Sequence, residues 1–167
     1  MKKGILFLLV MLVLTGCSSA AWETLGDIPH QDVAAPAMQQ VLLTLPEDSA
    51  EAVWSGENER MYLCEDYSIH IQTLDGGNIA STVQELSGFS PKNLTIVESR
   101  CGNHQRYEFV WTAVSEEGDL ISRCALLDDG NYHYALTVTA AASDVGVLTD
   151  QWNTLMGSFC LEFSHEG

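Results

Sequence analysis

Basic residues are scarce in this chain of 167 residues, which has 7 lysines and arginines against 23 acids and a formal net charge of −16. A charge this negative repels the phosphates of nucleic acids, so no nucleic-acid partner is expected. Charged residues of both signs make up only 18% of the chain, and hydrophobic residues make up 46%. That balance is typical of a globular chain and argues against disorder for most of its length.

Several catalytic and metal-binding motifs are missing. The chain has no C-x-x-C pair, which argues against a zinc ribbon or a thioredoxin-like redox centre. Its five histidines show no H-E-x-x-H spacing, and no G-x-S-x-G nucleophile motif occurs. Gly76-Gly77 precedes a predicted helix but lacks the further glycines and the lysine of a phosphate-binding loop. We therefore expect no catalytic centre, no metal site and no cofactor.

A hydrophobic run long enough to cross a bilayer is also lacking. The run from Ile5 to Leu14 has ten residues, whereas a membrane-spanning helix needs about 20. Its length, after Lys2 and Lys3, predicts a signal peptide. The sequence LTGC that ends at Cys17 resembles the lipobox of bacterial lipoproteins, in which the cysteine receives a diacylglyceryl group and becomes the new N-terminus. The resemblance implies lipidation of Cys17, and an ordinary secretory signal peptide is the alternative.

Three segments follow from this pattern. Residues 1–16 form the predicted signal peptide, and residues 17–37 form the lipidated cysteine with a flexible tether that contains two prolines. Residues 38–167 form a single predicted domain, since their number suits one core. The organisation predicts a protein attached to the cell membrane through a lipid anchor, on its extracytoplasmic face.

Alternating apolar residues predict antiparallel strands in the domain, most clearly from residue 106 to residue 140. Three strands there, joined by turns with acids and glycines, form a predicted meander. A helix with a wide apolar stripe is predicted from Val145 to Phe159. An earlier helix is expected between the N-cap residue Asn78 and the C-terminal glycine Gly88. The predicted fold class is therefore α+β, an antiparallel sheet flanked by helices.

The turn residues predict how the strands of the meander pair. They indicate a four-residue loop at 116–119, a three-residue loop at 128–130 and an upstream hairpin that turns at residues 102 and 103. The predicted pairs are Ser115 with Leu120, Leu126 with Tyr132, and Ile96 with Phe109. Together they predict one core face, on which the last helix packs. That face carries, among others, Phe109, Trp111, Cys124, Tyr134 and Leu136.

Four cysteines remain besides Cys17, an even number that permits two disulfides outside the cytoplasm. The predicted register separates Cys101 from Cys124 by more than a disulfide can span. Two connectivities remain. Because Cys160 follows the last helix directly and is expected within reach of Cys124, the candidate disulfides are Cys124–Cys160 and Cys64–Cys101. Free thiols are the alternative.

A small set of polar residues offers the one candidate enzyme site. His70, His133 and Glu108 all point away from the predicted core face and meet if their strands are neighbours. Such a cluster would suit a metal-dependent enzyme or a hydrolase. Solvation of each side chain on its own is the simpler interpretation.

Short motifs give the chain a resemblance to small lipoproteins of gut-type Firmicutes, a group without an assigned function. The motifs are the lipobox, LTLP, GGN, RYEFVW, DDGNYHYALTV and a final W…SF helix. The strands and the helix after them also resemble the PsbP-like fold, an antiparallel sheet sandwiched by helices that occurs in photosystem II extrinsic subunits and in a nuclear-import factor.

Members of that fold generally bind proteins and share no catalytic residues, so the resemblance implies binding and supplies no site residues. We expect a lipid-anchored extracytoplasmic binding or structural module of the cell envelope. Its expected partners are the membrane, through the anchor, and a protein or envelope ligand. An envelope hydrolase or metal-dependent enzyme is the alternative.

Overall fold

The computed structural model describes residues 36–47, 49, 52–116 and 118–162. From Pro36 onward the described residues belong to one compact unit. The predicted signal peptide, the lipidation site Cys17 and the tether up to residue 35 lie outside the described residues. His30 and His165 also lie outside them.

The described residues form nine strands, two α-helices and one 3-10 turn. In chain order they are β1 (Val41–Leu42), β2 (Trp54–Ser55), β3 (Glu59–Leu63), β4 (Tyr67–Asp75), α1 (Ile79–Ser87), the 3-10 turn (Pro91–Asn93), β5 (Ile96–Cys101), β6 (His104–Ser115), β7 (Gly118–Asp128), β8 (Tyr132–Ala141), α2 (Val145–Ser158) and β9 (Cys160–Leu161). Seven strands make one antiparallel sheet in the order β2-β3-β4-β8-β7-β6-β5. Strands β1 and β9 pair separately. The predicted α+β class is confirmed.

The two helices cover opposite faces of the sheet. Helix α2 buries its apolar stripe on the face that we call the α2 face, and α1 covers part of the other, the α1 face. Buried residues of α2 and of the strands beneath it include Leu148, Trp152, Leu155, Met156, Ile69, Ala125, Leu127, Tyr134, Leu136 and Val138. The core under α1 contains Val83, Phe109, Cys124, Leu126 and Ala135. Alternate residues of one strand thus enter different cores.

Helix α1 begins and ends where the sequence predicts, and α2 begins at Val145 as predicted but ends one residue earlier, at Ser158. The Asn78 side chain accepts a hydrogen bond from the amide of Ala80 at 2.8 Å, and Gly88 ends α1 with a φ of 76°. A left-handed residue at this position suits glycine because it has no Cβ. Helix α2 starts after Asp144, which makes no side-chain capping bond.

The predicted register is correct in one hairpin and wrong in two. Ile96 pairs with Phe109 as predicted. Ser115 pairs with Gly118 instead of Leu120, because the strands continue two residues further into the turn. That shift of two leaves each side chain on its predicted face.

The second register error, in the hairpin between β7 and β8, turns β8 over. Asp128 pairs with His133 and Leu126 with Ala135, a shift of three residues from the predicted register. Asp129 extends the loop, because its Oδ1 accepts hydrogen bonds from the amides of Asn131 and Tyr132 at 2.8 and 2.7 Å. An odd shift turns every side chain of β8 to the other face.

The observed packing of the last helix differs from the predicted packing because β8 is inverted. Helix α2 lies on Tyr134 and Leu136, as predicted, but Phe109 and Trp111 lie under α1 on the opposite face. The sequence could not reveal the inversion, since β8 is the central strand and its residues are buried on both faces. A strand buried on both faces lacks the alternation that would fix its register.

Neither predicted disulfide fits this arrangement. Cys64 follows β3, and Cys101 ends β5 with four strands between them. At about 4.8 Å per strand, their separation is on the order of 24 Å, far beyond the reach of a disulfide. Cys124 is buried under α1, whereas Cys160 lies between two residues of the α2 core. Cys101, Cys124 and Cys160 carry free thiols.

Candidate binding pocket

A pocket of about 420 Å³ opens on the α2 face beside strands β3 and β4. One wall is the segment of residues 38–45, which we call the strap and which includes β1. The other wall comes from β3, β4 and the turn before β3. The lining residues are Met38, Gln39, Gln40, Val41, Leu43, Leu45, Glu57, Asn58, Glu59, Arg60, Tyr62, Ile71 and Thr73.

The lining divides into an apolar part and a polar part. Five of its residues also pack against the α2 core, and they form what we call the apolar wall: Val41, Leu43, Leu45, Tyr62 and Ile71. Carboxylates, amides and one hydroxyl make up most of the rest. Arg60 is the only cation among the described lining residues, and it is exposed. A concave surface of this size with a few polar groups is typical of a small-molecule site.

The pairing of β3 with β4 places the pocket residues on one face. Tyr62 pairs with Ile69 and Arg60 with Ile71, so all of these side chains share the α2 face. Ile69 is fully buried in the core, and Ile71, two residues further along, is only partly buried. The pocket therefore begins where the cover provided by α2 ends.

The strap is fastened at both ends. At its start, the backbone amide of Gln39 donates to the hydroxyl of Tyr134 at 2.8 Å, and that hydroxyl donates to Asp129 Oδ2 at 2.9 Å. Further along, the amide of Thr44 donates to the hydroxyl of Ser158 at 3.1 Å. Burial raises the pKa of Tyr134 to about 12, and the neighbouring carboxylate of Asp129 contributes to the increase. The phenol therefore stays protonated at neutral pH and can keep donating.

The three residues of the candidate enzyme site are not brought together. His70 and His133 lie on the α1 face, whereas Glu108 lies on the α2 face beside Ala125. His133 pairs with Leu74, four residues along β4 from His70, so about 13 Å of strand separates the two histidines. This prediction is wrong because the inverted register of β8 moves His133 away from Glu108.

Each of the two histidines instead has its own local contact. His70 Nε2 lies 3.3 Å from Glu59 Oε2, near the surface. His133 is fully buried, and its Nδ1 is 2.7 Å from the hydroxyl of Thr82. Its Nε2 has no hydrogen-bond partner among the described residues and lies 3.8 Å from Asp128 Oδ1. These contacts connect strands to each other and to α1. Of the residues that make them, Glu59 also lines the pocket, whereas neither histidine does.

The cysteine thiol under α1 is unsuited to nucleophilic chemistry. Cys124 is completely buried, and this burial raises its pKa to about 12. A thiol needs to ionise before it becomes a strong nucleophile or a metal ligand. Within the described residues, no group of three or more histidines, cysteines and acids is arranged to hold a metal ion.

A charged network on the α2 face was missed at the sequence level. Arg106 Nε and Arg123 Nη2 both donate to Glu108, at 2.9 and 2.8 Å. Burial raises the pKa of Glu108, but the hydrogen bonds from Arg123 and Arg106 outweigh it and leave the pKa below its usual value. The signal was present, since Arg106 and Glu108 are two residues apart on one strand and therefore share a face. The network is structural, because its members do not line the pocket.

The pocket itself could not have been predicted from the sequence. Its walls come from residues 38–45 and 57–73. They meet because β1 pairs with β9 after the last helix and because the strap bonds to Tyr134 and Ser158. No local motif encodes that contact.

None of the described helices has the length and apolarity to cross a membrane.

Solved structures with a similar fold exist at low sequence identity. LpqN of Mycobacterium tuberculosis, which is involved in cell envelope biogenesis, matches with a TM-score of 0.53 and 14% identity over 78% of this chain and 88% of LpqN. PA94 of Pseudomonas aeruginosa, a protein of unknown function, matches with a TM-score of 0.50 and 15% identity over 78% of this chain and 89% of its own. A mutant of Mog1 matches with a TM-score of 0.51 and 10% identity, over 74% of this chain and 92% of Mog1.

Identities this low show a shared fold only, because one fold hosts many functions. No protein-family model matches the chain, and no curated protein matches its sequence.

Proposed function

We propose that this protein is a non-enzymatic binding module of the cell envelope, held at the membrane by a lipid on Cys17. Its ligand site is the pocket between the strap and strands β3 and β4. The observation that carries this proposal is the pocket itself, which combines an apolar wall with a rim of amides, carboxylates and one arginine. That composition suits a small ligand with an apolar part and a polar part.

The envelope location is supported by the N-terminal sequence. A basic start, a ten-residue apolar run and the LTGC sequence occur together, and a signal peptide has this organisation. LpqN, which shares the fold, is involved in cell envelope biogenesis. The negative charge of the chain adds a reason to expect attachment through a lipid, since it disfavours adsorption to anionic headgroups.

A binding role is also favoured by the position of the titratable groups. His70, His133 and Glu108 lie apart, and Cys124 is a buried thiol with a raised pKa. General acid–base chemistry needs such groups within hydrogen-bond reach of one substrate. Neither a histidine nor a cysteine is among the described residues that line the pocket.

Two experiments test the proposal. Cell fractionation should find the wild-type chain with the membranes and the Cys17→Ser chain in the soluble fraction, and co-fractionation of both with the membranes would contradict the anchor.

The purified chain should also be screened against hydrolase substrates and divalent metals. Turnover that disappears in His70→Ala or His133→Ala, or stoichiometric metal binding lost in those variants, would contradict the binding role.

A further inference from the structure

The two edges of the seven-stranded sheet differ in length and exposure. One edge is β2, which has only the two residues Trp54 and Ser55. The other is β5, which has six residues, of which the four from Val97 to Arg100 are exposed. Strand β5 pairs with β6 without a bulge along its whole length. A long, regular and exposed edge strand is a template for pairing with another strand.

The turn after β5 determines which backbone groups face outward. Gly102 has a φ of 61°, and Asn103 has a negative φ, as in a two-residue turn with glycine first. The residues that flank such a turn, Cys101 and His104, exchange hydrogen bonds with each other. Hydrogen-bonded positions alternate along the strand, so the N–H and C=O groups of Ile96, Glu98 and Arg100 point away from the sheet.

We propose that β5 pairs antiparallel with β5 of a second copy of this chain, about a two-fold axis at Ser99. In this register Glu98 lies opposite Arg100 of the second copy, and Arg100 opposite its Glu98. All four residues present outward-facing backbone groups, so the two pairs exchange about four backbone hydrogen bonds. The two seven-stranded sheets then continue into one.

Charge selects this register over its neighbours. In the two neighbouring registers the outward-facing backbone groups of the two strands still pair. One of these registers places Glu98 opposite Glu98 of the second copy, and the other places Arg100 opposite Arg100 of the second copy. Like charges in directly opposite positions destabilise a strand pair, whereas opposite charges stabilise it. The strand is therefore self-complementary in only one of the three registers. Arg100 Nη2 already donates to the carbonyl oxygen of Asn103 at 2.9 Å, which keeps its side chain beside the turn.

The exposed apolar side chain of β5 also gains a partner. Val97 is 59% exposed on the α2 face, and in the proposed register it lies opposite Cys101 of the second copy. The pocket is next to β3 and β4, near the other edge of the sheet. Each copy therefore keeps its pocket open, and the pairing is independent of the proposed ligand site.

A cysteine substitution tests the geometry in the full chain. Ser99 meets Ser99 of the second copy as a non-hydrogen-bonded pair, whose Cα atoms lie about 4.5 Å apart, within the range of a disulfide. With Cys101→Ser as background, Ser99→Cys should form a disulfide-linked dimer under mild oxidation. Ser55→Cys, the same substitution on the β2 edge, is the matched control and should stay monomeric on a non-reducing gel. Equal dimer yields from the two variants would overturn the proposal.

An exchange of charges tests the register without cysteines. Sedimentation equilibrium of the full chain should give a dimer dissociation constant that rises about tenfold in Arg100→Glu and in Glu98→Arg, because each places like charges opposite each other twice. The double variant with both changes restores opposite charges and should recover the wild-type constant. Failure of the double variant to recover it, or a monomeric wild type, would overturn the proposal.

Discussion

Arg106 Nη2 donates a hydrogen bond to the carbonyl oxygen of Met156 at 2.7 Å, which joins β6 to the last turn of α2. A second bond, from Nη1 to the carbonyl oxygen of Phe159, is 3.1 Å long. The last carbonyl groups of a helix have no partner within it, and a cation there also interacts favourably with the helix dipole. A buried arginine thus holds α2 on the sheet.

Replacement of Arg106 by methionine should lower the free energy of unfolding by about 3 kcal/mol, because it leaves buried carbonyl groups without donors. The matched control is Arg123→Met, which affects an arginine that also contacts Glu108 but whose side chain is 26% exposed. Arg123→Met should lower the free energy of unfolding by less than about 1 kcal/mol. Urea unfolding measures both, and equal losses would contradict the assigned role of Arg106.

Glu108 makes stability depend on pH in a definite direction. Its pKa in the folded chain is lowered, since the hydrogen bonds from Arg123 and Arg106 outweigh the effect of burial. Its ionised form therefore stabilises the fold above the unfolded-state pKa of about 4.3, and this contribution is lost as the pH falls below that value. Wild type should exceed Glu108→Gln in unfolding free energy at pH 7, and the difference should shrink towards pH 3. A difference that grows on acidification would contradict this account.

Trp152 tests the packing of α2. Its ring is 3% exposed in the α2 core, so Trp152→Ala should cost about 3–5 kcal/mol in denaturant unfolding. Val147→Ala on the same helix removes a side chain that is 84% exposed, and it should change stability by less than about 0.5 kcal/mol. A loss under about 1 kcal/mol for Trp152→Ala would mean that the helix faces elsewhere.

Gly76 is required by a close approach of two backbones. A Cβ at this position would lie 2.3 Å from the carbonyl oxygen of Asn131, while one at Gly146 would meet nothing within 4 Å. We expect Gly76→Ala to destabilise the fold by about 1–3 kcal/mol, because the loop before β8 must move. Gly146→Ala, in the first turn of α2, should be neutral or stabilising by up to about 1 kcal/mol. Thermal unfolding distinguishes the two, and a neutral Gly76→Ala would show that the loop yields freely.

Local patterns predicted helices and strands well, but only one of the three predicted hairpin registers was correct. Asn78 and Gly88 marked both ends of α1, and the alternation between residues 106 and 140 predicted three strands, because these signals depend on neighbours in sequence. The register of β8 depended on how Asp129 bonds to two later amides, which residue types alone do not specify. The error of three residues in this register placed Phe109 on the same face as Tyr134, and His133 on the same face as Glu108. The structure separates both pairs.

The pocket could not be predicted from the sequence for a related reason. The enzyme site inferred from His70, His133 and Glu108 assumed that three strands present their polar residues to one side. The pocket instead brings together the strap and β3, through a ladder between β1 and β9 of only two residue pairs. Contacts between distant segments of this length leave no pattern in the sequence.

A titration with N-phenyl-1-naphthylamine, a neutral apolar fluorophore, tests whether the pocket binds a partly apolar small molecule. The chain from residue 17 with Cys17→Ser carries no lipid that could bind the probe. Ile71→Trp and Thr73→Trp place a ring in the pocket, while Gln72→Trp, on the same strand, faces the opposite side of the sheet. Matching urea midpoints for the variants would establish that each one is folded.

We expect saturable binding at one site, weakened about tenfold or more by Ile71→Trp and by Thr73→Trp and unchanged by Gln72→Trp. Absence of saturable fluorescence with the unsubstituted chain, or equal binding by all three variants, would contradict it.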